Sequence, residues 1–194
     1  MSRHSTCVED SEWRLILIEG TPLRADARRN RARILDAAEA VFAEFGHRGS
    51  TEEVAQRAGV AIGTVFRHFP TKDDLLAAIM KQLLAQLVED ADQRDLFDFF
   101  THVVAQAAAK KTVVDLLAGS GVDIRLPDAV NQLEHAVDRL LQNARAAGEV
   151  AATVRLPEVM ALLAGLCQGA LHGGWDEQLQ TRTLAVIFAG LKHN

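Results

Sequence analysis

The chain has 194 residues, of which 48% are hydrophobic and 24% charged, and its formal net charge is −5. This composition excludes a largely disordered protein and suits one domain of ordinary size or two small ones that share a core. The acidic total excludes a protein that coats nucleic acid without sequence preference, because such a protein needs a basic surface.

The charge is unevenly distributed along the chain. From Arg24 to Lys72 there are nine basic and six acidic residues, whereas residues 73–194 hold ten basic and sixteen acidic ones. A locally basic front therefore precedes an acidic body. The two cysteines, Cys7 and Cys167, do not support a disulfide framework, and no apolar run reaches the length of a membrane span. We expect a soluble cytoplasmic protein without a membrane partner.

The first predicted helix follows an irregular extension. Residues 1–22 have no helical period, and Gly20 and Pro22 close them. From Ala25 onward the apolar spacing is helical, and Gly46 stands where a left-handed helix cap is expected. The apolar positions of this long helix are Ile34, Ala38, Val41, Phe42 and Phe45.

Two short helices come next. Ser50, with Glu53 three residues later, predicts a capping box at the start of a helix that ends at Gly59. A third helix over residues 61–68 cannot continue through Pro70. Thr71 then caps a fourth helix of more than four turns.

The remaining sequence is also helical in pattern. One stretch covers residues 96–119, and after a break at residues 119–121 further helices are predicted over residues 127–148, 157–172 and 178–192. Alternating apolar and polar strands are absent from the sequence, which predicts an all-α fold.

The second and third helices form a pattern typical of a helix-turn-helix unit, whose second helix enters the DNA major groove. Ala55 and Gly59 are small where the two helices approach, Gly59 can adopt the positive φ of a tight turn, and Val65 supplies an apolar contact. An ordinary helical hairpin that binds nothing has the same pattern. The flanking residues are therefore needed to distinguish it from a DNA-binding helix-turn-helix.

Those flanking residues resemble the TetR family of bacterial transcriptional repressors. The resemblance rests on PLRADARRNRARILDAA and on FAEFGHRGSTEEVAQRAGVAIGTVFRHFPTKDDLLAAI, between Pro22 and Ile79. It implies an N-terminal three-helix DNA-binding unit with a helix-turn-helix, followed by a larger helical effector-binding and dimerisation domain. The expected division is an extension at 1–22, the helix-turn-helix domain at 23–72 and the helical body at 73–194.

The resemblance also implies which residues contact DNA. Phosphate contacts are expected from Thr51, Thr64, His68 and Lys72, and base contacts from Ile62, Gly63 and Arg67. Ser50 and Phe66 complete the candidate interface. The family usually has tyrosine where this chain has Phe66, so a phosphate-binding hydroxyl is missing there. Arg24, Arg28 and Arg29 are candidates for a basic arm on DNA, with a solvated helix start as the alternative.

The body is expected to dimerise and to bind an effector. The last two helices are apolar around much of their circumference, and the resemblance implies a homodimer through a four-helix interface; burial inside one subunit is the alternative. Candidate pocket residues, each of which core packing would also explain, are Met80, Leu84, Leu87, Phe97, Phe100, Val103, Leu117, Leu141, Leu163 and Trp175. The polar candidates are His102, His135, Cys167, Gln168 and His172.

The sequence therefore predicts a ligand-responsive repressor that binds a palindromic double-stranded DNA operator as a homodimer and is released by a small apolar or amphipathic effector. One alternative is a helical protein-interaction module without DNA binding. An enzyme is disfavoured because the P-loop, H-E-x-x-H, G-x-S-x-G and dinucleotide fingerprints are absent from the sequence. A metal sensor has little support, because Cys167 and His172 are five residues apart, so no metal or cofactor is expected.

Overall fold

A computed structural model describes residues 22–119 and 127–192 of the chain, with side chains for 25–116 and 127–192. Those residues form nine α-helices and a 3₁₀ turn at Gly46–Arg48, without a β-strand. The helices are α1 (Pro22–Phe45), α2 (Thr51–Ala58), α3 (Ile62–His68), α4 (Lys72–Ala91), α5 (Leu96–Ala109), α6 (Lys111–Gly119), α7 (Pro127–Ala146), α8 (Leu156–His172) and α9 (Glu177–Lys192). The predicted all-α class is confirmed. Within the described residues, no helix is both long and apolar enough to cross a membrane.

The helix ends match the sequence signals. Ser50 caps α2 and Thr71 caps α4, each through a complete capping box, with Glu53 and Asp74 as the respective partners. Gly46 and Gly59 both have positive φ, 57° and 65°. The irregular extension was predicted over residues 1–22; residues 1–21 lie outside the described part of the chain, and Pro22 already begins α1.

The long stretch predicted over residues 96–119 differs from the structure. The chain turns at Lys110, with φ −99° and ψ 18°, so α5 and α6 are separate helices. Neither glycine nor proline marks the turn in the sequence. The cause lies in tertiary packing, because Val113 of α6 is buried in the core formed by α1 to α4.

Two hydrophobic cores organise the chain. The first lies among α1, α2, α3 and the first turns of α4, which together we call the N-terminal unit. The second lies among the rest of α4 and α5, α7, α8 and α9, which with α6 we call the body. Leu75, Leu76 and Ile79 of α4 pack in the first core, whereas Leu84, Leu87 and Val88 pack against the second. A single helix therefore joins both, and the domain boundary expected at residue 73 stays a prediction.

Gly49 gives a test of packing in the first core. A Cβ atom on Gly49 would lie 2.8 Å from Cδ1 of Phe42 and 3.1 Å from Cγ1 of Val41, and the Phe42 ring is completely buried. We expect Gly49→Ala to lower the free energy of unfolding by about 1–3 kcal/mol, because the ring must move within a close-packed core.

Urea denaturation followed by circular dichroism measures this change. Gly63→Ala is the matched control, because a Cβ atom on Gly63 meets nothing within 4 Å. We expect the control to raise the free energy of unfolding by about 0.5–1 kcal/mol, since alanine is the better helix former. Equal unfolding midpoints for the two variants would contradict the close approach at Gly49.

Candidate DNA-binding face and body cavity

The turn between α2 and α3 depends on Gly59. Its φ of 65° and ψ of 40° lie in the left-handed region, and its N–H donates to the carbonyls of Ala55 and Gln56. The N–H of Val60 also donates to the Ala55 carbonyl, at 3.0 Å. A side chain at Gly59 would be strained and would bring a Cβ atom to 2.9 Å from Nη2 of Arg33. The glycine therefore fixes how α3 leaves α2.

Arg33 of α1 stabilises the turn between α2 and α3 through a hydrogen bond to the end of α2. Its Nη2 donates to the carbonyl of Ala58 at 2.5 Å, at the C-terminus of α2. A guanidinium in this position satisfies a terminal carbonyl and is favoured by the negative end of the helix dipole. Arg31, two residues earlier, lies over the ring of Phe69, 5.3 Å from its centroid. Two arginines of α1 thus hold the helix-turn-helix in place, a role that the sequence did not reveal.

The three arginines predicted as a basic arm are placed differently. Arg28 and Arg29 are exposed on α1, and Arg29 forms an exposed ion pair with Asp26. The side chain of Arg24 is outside the described side chains. Their contact with DNA stays a prediction.

Ser50 is occupied by its capping role. Its hydroxyl accepts from the N–H of Glu53 at 3.1 Å and donates to Oε2 of Glu53 at 3.0 Å. The backbone N–H of Ser50 donates to the same carboxylate at 2.8 Å, and this bond is the main cause that lowers the pKa of Glu53. The cap thus contributes stability above the usual pKa of glutamate and loses it as the pH falls through the lowered value.

α3 has one buried and one exposed side. Val65 is completely buried, whereas Gly63 and Arg67 are exposed, and Ile62 and Phe66 are 37% and 43% exposed despite being large apolar residues. Thr51 at the start of α2, and Thr64 and His68 of α3, are half-buried. The residues predicted to read bases therefore share the outward side of a helix of only seven residues.

Lys72 has a structural role that the sequence did not predict. Its Nζ donates to the carbonyls of His47 at 3.1 Å and Gly49 at 2.8 Å, and lies 5.1 Å from the centroid of the Phe42 ring. These contacts tie the start of α4 to the connection between α1 and α2. Two of the three ammonium hydrogens are used inside the N-terminal unit, so the predicted phosphate contact would use the third.

The body contains a cavity of about 520 Å³ between α4, α5, α6 and α8. Seven of the predicted pocket residues line it: Met80, Leu84, Leu87, His102, Val103, Cys167 and Gln168. The sequence interpretation missed the other residues that line it: Leu83, Gln86, Asp90, Gln106, Ala107, Lys110, Val114, Ala164 and Leu171. Helical spacing was the available signal, since residues 106, 107 and 110 continue the side of α5 that begins at His102 and Val103. Ligand binding by this cavity stays a prediction.

The other predicted pocket residues whose side chains are described do not line this cavity. Phe97 and Phe100 pack against Phe188 of α9, with ring centroids 4.7 Å and 6.1 Å from it. Leu163 is buried in the body core, and Leu141 is completely buried there. These side chains hold α5, α7, α8 and α9 together, which corrects the pocket expected from sequence.

Three polar or amphipathic candidates lie at the surface of the body or near it. His135 is exposed on α7. His172 is exposed at the end of α8, with Nδ1 3.3 Å from Nζ of Lys111. Trp175 packs so closely on α8 that a Cβ atom on Gly169 would lie 2.5 Å from its indole ring. Leu117 is outside the described side chains.

Two polar side chains on the cavity wall, His102 and Asp90, are paired with each other. Nε2 of His102 lies 2.9 Å from Oδ2 of Asp90, and Arg94 lies 3.4 Å from the other oxygen of that carboxylate. Burial raises the pKa of the Cys167 thiol to about 11, which keeps it neutral and unreactive near pH 7. Among residues 25–116 and 127–192, no three His, Cys, Asp or Glu side chains cluster to hold a metal ion.

α8 and α9 together expose small and apolar residues. Val186 of α9 is 71% exposed, the largest value among the exposed large apolar side chains. Small residues exposed on the two helices are Ala161, Ala164 and Gly165 of α8 and Ala185, Ala189 and Gly190 of α9. A Cβ atom on Gly165 or Gly190 would meet nothing within 4 Å, so both backbones are open to close approach. We call these residues with Val186 the α8–α9 face.

Two family models match the chain and together cover most of it. Residues 34–79 match bacterial regulatory proteins of the tetR family, and residues 91–193 match the C-terminal domain of SbtR-like transcriptional regulators. The chain belongs to the TetR family. It is a transcriptional regulator with a helix-turn-helix DNA-binding unit, in agreement with the resemblance seen in its sequence.

Solved structures of TetR-family regulators have the same fold. A TetR transcription regulatory protein from Mycobacterium vanbaalenii is 36% identical, covers 89% of this chain and 100% of its own, and gives a TM-score of 0.71. A TetR regulator from Streptomyces coelicolor is 28% identical over 83% of this chain and 97% of its own, with a TM-score of 0.65.

Curated relatives match a shorter part of this TetR-family chain. The fatty acid metabolism regulator protein of Bacillus subtilis is 38% identical over 61 residues, which is 31% of this chain and 31% of that protein. An HTH-type transcriptional regulator of Staphylococcus aureus is 36% identical over 81 residues, 41% of this chain and 37% of that protein. The alignments thus span about a third of the length of these relatives, both of which are named as regulators.

Proposed function

We propose that the protein represses transcription as a homodimer on a palindromic operator and is released when a small apolar or amphipathic effector enters the body cavity. The observation that carries this proposal is the course of α4. Leu75, Leu76 and Ile79 pack in the core of the N-terminal unit, and from Met80 onward the same helix lines the cavity. One helix therefore packs in the same core as Val65 of α3 and also lines the proposed effector cavity.

Recognition is assigned to the outward side of α3. Arg67 is exposed there, and a guanidinium can donate two parallel hydrogen bonds to a guanine edge in the major groove. Gly63 lets the backbone of α3 approach the bases, because it has no side chain to hold the helix away. Thr51, Thr64, His68 and Lys72 are proposed to bind phosphates, which position the unit without selecting a sequence.

Dimerisation is assigned to the α8–α9 face. Small residues let helices of two subunits approach closely, and the side chain of Val186, which is 71% exposed, would be covered by the partner subunit. A two-fold axis through this face would present two copies of α3 to half-sites about 34–36 Å apart, or to a multiple of that spacing.

Release requires that the effector bind the two arrangements of the dimer with different affinity. A cavity of about 520 Å³ holds a molecule of drug size, and its apolar wall with a few polar groups suits an amphipathic one. We propose that its entry moves α4 and changes the separation of the two reading helices. One relative is named for fatty acid metabolism, which is compatible with such an effector.

Gel-shift titration against the DNA that flanks its own gene tests the proposal. The wild-type protein should shift one fragment specifically, and its affinity should fall as salt rises. Arg67→Ala should reduce the preference for the operator about tenfold to a hundredfold, because a bidentate base contact is lost. Lys72→Met should weaken binding to all fragments alike and should reduce the salt slope by about one for each phosphate lost.

Thermal melting of both variants is the control, because Lys72 also bonds to two carbonyls within the N-terminal unit. A folded wild-type dimer that shifts no fragment specifically at any salt would overturn the proposal. That outcome would favour the alternative of a helical protein-interaction module without DNA binding.

A further inference from the structure

Lys110 stands at the corner between α5 and α6. Its N–H donates to the carbonyl of Gln106 at 2.9 Å, and its own carbonyl accepts from the N–H groups of Val113 and Val114, each at 3.0 Å. It ends one helix and begins the next, so its backbone is held from both sides. Lys110 is also one of the residues that line the body cavity.

The ammonium of Lys110 reaches out of the body to the N-terminal unit. Its Nζ lies 2.5 Å from Oε1 of Glu39 on α1, and the two side chains are only 32% and 27% exposed. A pair of this burial is screened less by solvent than a surface pair. The bond therefore ties the corner of the cavity directly to the helix that carries Arg31 and Arg33.

The first turn of α6 lies between the same two regions. Val113 is 1% exposed and packs in the core of the N-terminal unit, whereas the next residue, Val114, lines the cavity. A displacement of Lys110 would therefore move residues of the cavity wall and also residues of the core on which α3 packs.

The charges on the cavity wall are not equally available to a ligand. Asp90 is already paired with His102 and Arg94. Lys110 is the one lysine or arginine among the described residues that line the cavity, and its acidic partner Glu39 does not line it. An anion that enters the cavity can therefore compete with Glu39 for the Lys110 ammonium.

We propose that the effector carries an anionic group, such as a carboxylate on an apolar tail, which binds Lys110 and displaces Glu39. Loss of the Glu39 bond frees α1 from the α5–α6 corner, and this release acts together with the movement of α4 to lower operator affinity. This inference rests on the proposed function and specifies its ligand class and its coupling residue. By reciprocity, operator binding lowers the affinity for the anion by the same factor.

Isothermal titration of the full-length protein with octanoate, decanoate and dodecanoate, each paired with its primary alcohol, tests the ligand class. For the pairs that bind, we expect the carboxylate to bind about tenfold more tightly than the alcohol, as one charge-assisted hydrogen bond supplies. Lys110→Met should reduce that ratio to below about twofold, with alcohol binding unchanged.

Glu39→Gln tests whether the Lys110–Glu39 pair couples ligand binding to operator binding, without changing a residue of the cavity wall. It should tighten carboxylate binding several-fold, because Lys110 no longer has a competing partner, and it should reduce the effect of decanoate on operator affinity. Glu44→Gln is the matched control, since Glu44 is also on α1 and also forms an interhelical ion pair, with Arg57 at 2.7 Å, away from the cavity. It should change neither quantity. Melting curves report whether each variant is folded.

The inference is overturned if the wild type binds no carboxylate, if acids and alcohols bind equally, or if Lys110→Met and Glu39→Gln behave as Glu44→Gln does. Operator binding without any ligand is measured on the same samples. If the wild type lacks specific operator binding, the proposed function fails. If operator binding is present but insensitive to Lys110 and to decanoate, the inference fails alone.

Discussion

Gly63→Glu is expected to lower operator affinity at least about a hundredfold while the protein stays folded, because like charges brought together in an interface cost several kcal/mol. A Cβ atom on Gly63 meets nothing within 4 Å, so the free protein can accept the longer side chain. In the complex, that carboxylate would lie between α3 and the negatively charged DNA. Two copies of the substitution act together in a dimer.

Fluorescence anisotropy with a labelled operator measures this loss, and melting curves check the fold. Ala147→Glu is the matched control, because Ala147 is exposed beyond the end of α7 and adds the same charge to the body. It should leave operator affinity within about twofold, since charges beyond a Debye length of about 8–10 Å are largely screened. Equal operator affinities for the two variants would show that α3 does not contact the operator.

Val186→Asp is expected to convert the protein to a monomer and to lower its apparent operator affinity at least about a hundredfold, because bivalent binding is lost. Val186 is the most exposed valine of the α8–α9 face, at 71%. A charge buried between two subunits without a partner is strongly destabilising, whereas on a monomer surface it costs almost nothing.

Analytical ultracentrifugation at micromolar concentration distinguishes the two states. Val130→Asp is the matched control, since Val130 of α7 is also a large exposed apolar residue, at 42%, but lies outside the α8–α9 face. The control should sediment as a dimer like the wild type. If Val186→Asp also remains a dimer with full operator affinity, the subunit interface lies elsewhere.

Local signals predicted the N-terminal unit well. The capping residues Ser50 and Thr71, and the turn at Gly59, were all identified from residue types at fixed spacing, and each is present in the structure. Such signals are readable because the interactions involved join residues within a few positions of one another.

Contacts between residues that are far apart in the chain could not be predicted from such local sequence signals. Arg33 contacts Ala58, and Lys110 contacts Glu39 across 71 positions, and neither arginine nor lysine has a spacing that indicates such a partner. The helix boundary at Lys110 was missed for the same reason, since the packing of α6 on the N-terminal unit decides it.

The residues of the body cavity were only partly predictable from the sequence. Helical periodicity selects which side of α4 or α5 faces inward, but it does not distinguish a cavity wall from a packed core. Leu84 and Phe100 have similar patterns in the sequence, yet Leu84 lines the cavity and Phe100 is completely buried beside Phe188. The choice depends on how α8 and α9 pack against α5.

Selection from a random double-stranded DNA library by the purified wild-type protein, followed by sequencing, tests the central claim most directly. The proposal predicts enrichment of a two-fold symmetric motif whose half-sites are separated by about 10–10.5 base pairs or a multiple, as two copies of α3 on one dimer require. No enrichment at low salt, or an unpaired asymmetric motif, would contradict recognition by a symmetric dimer through α3.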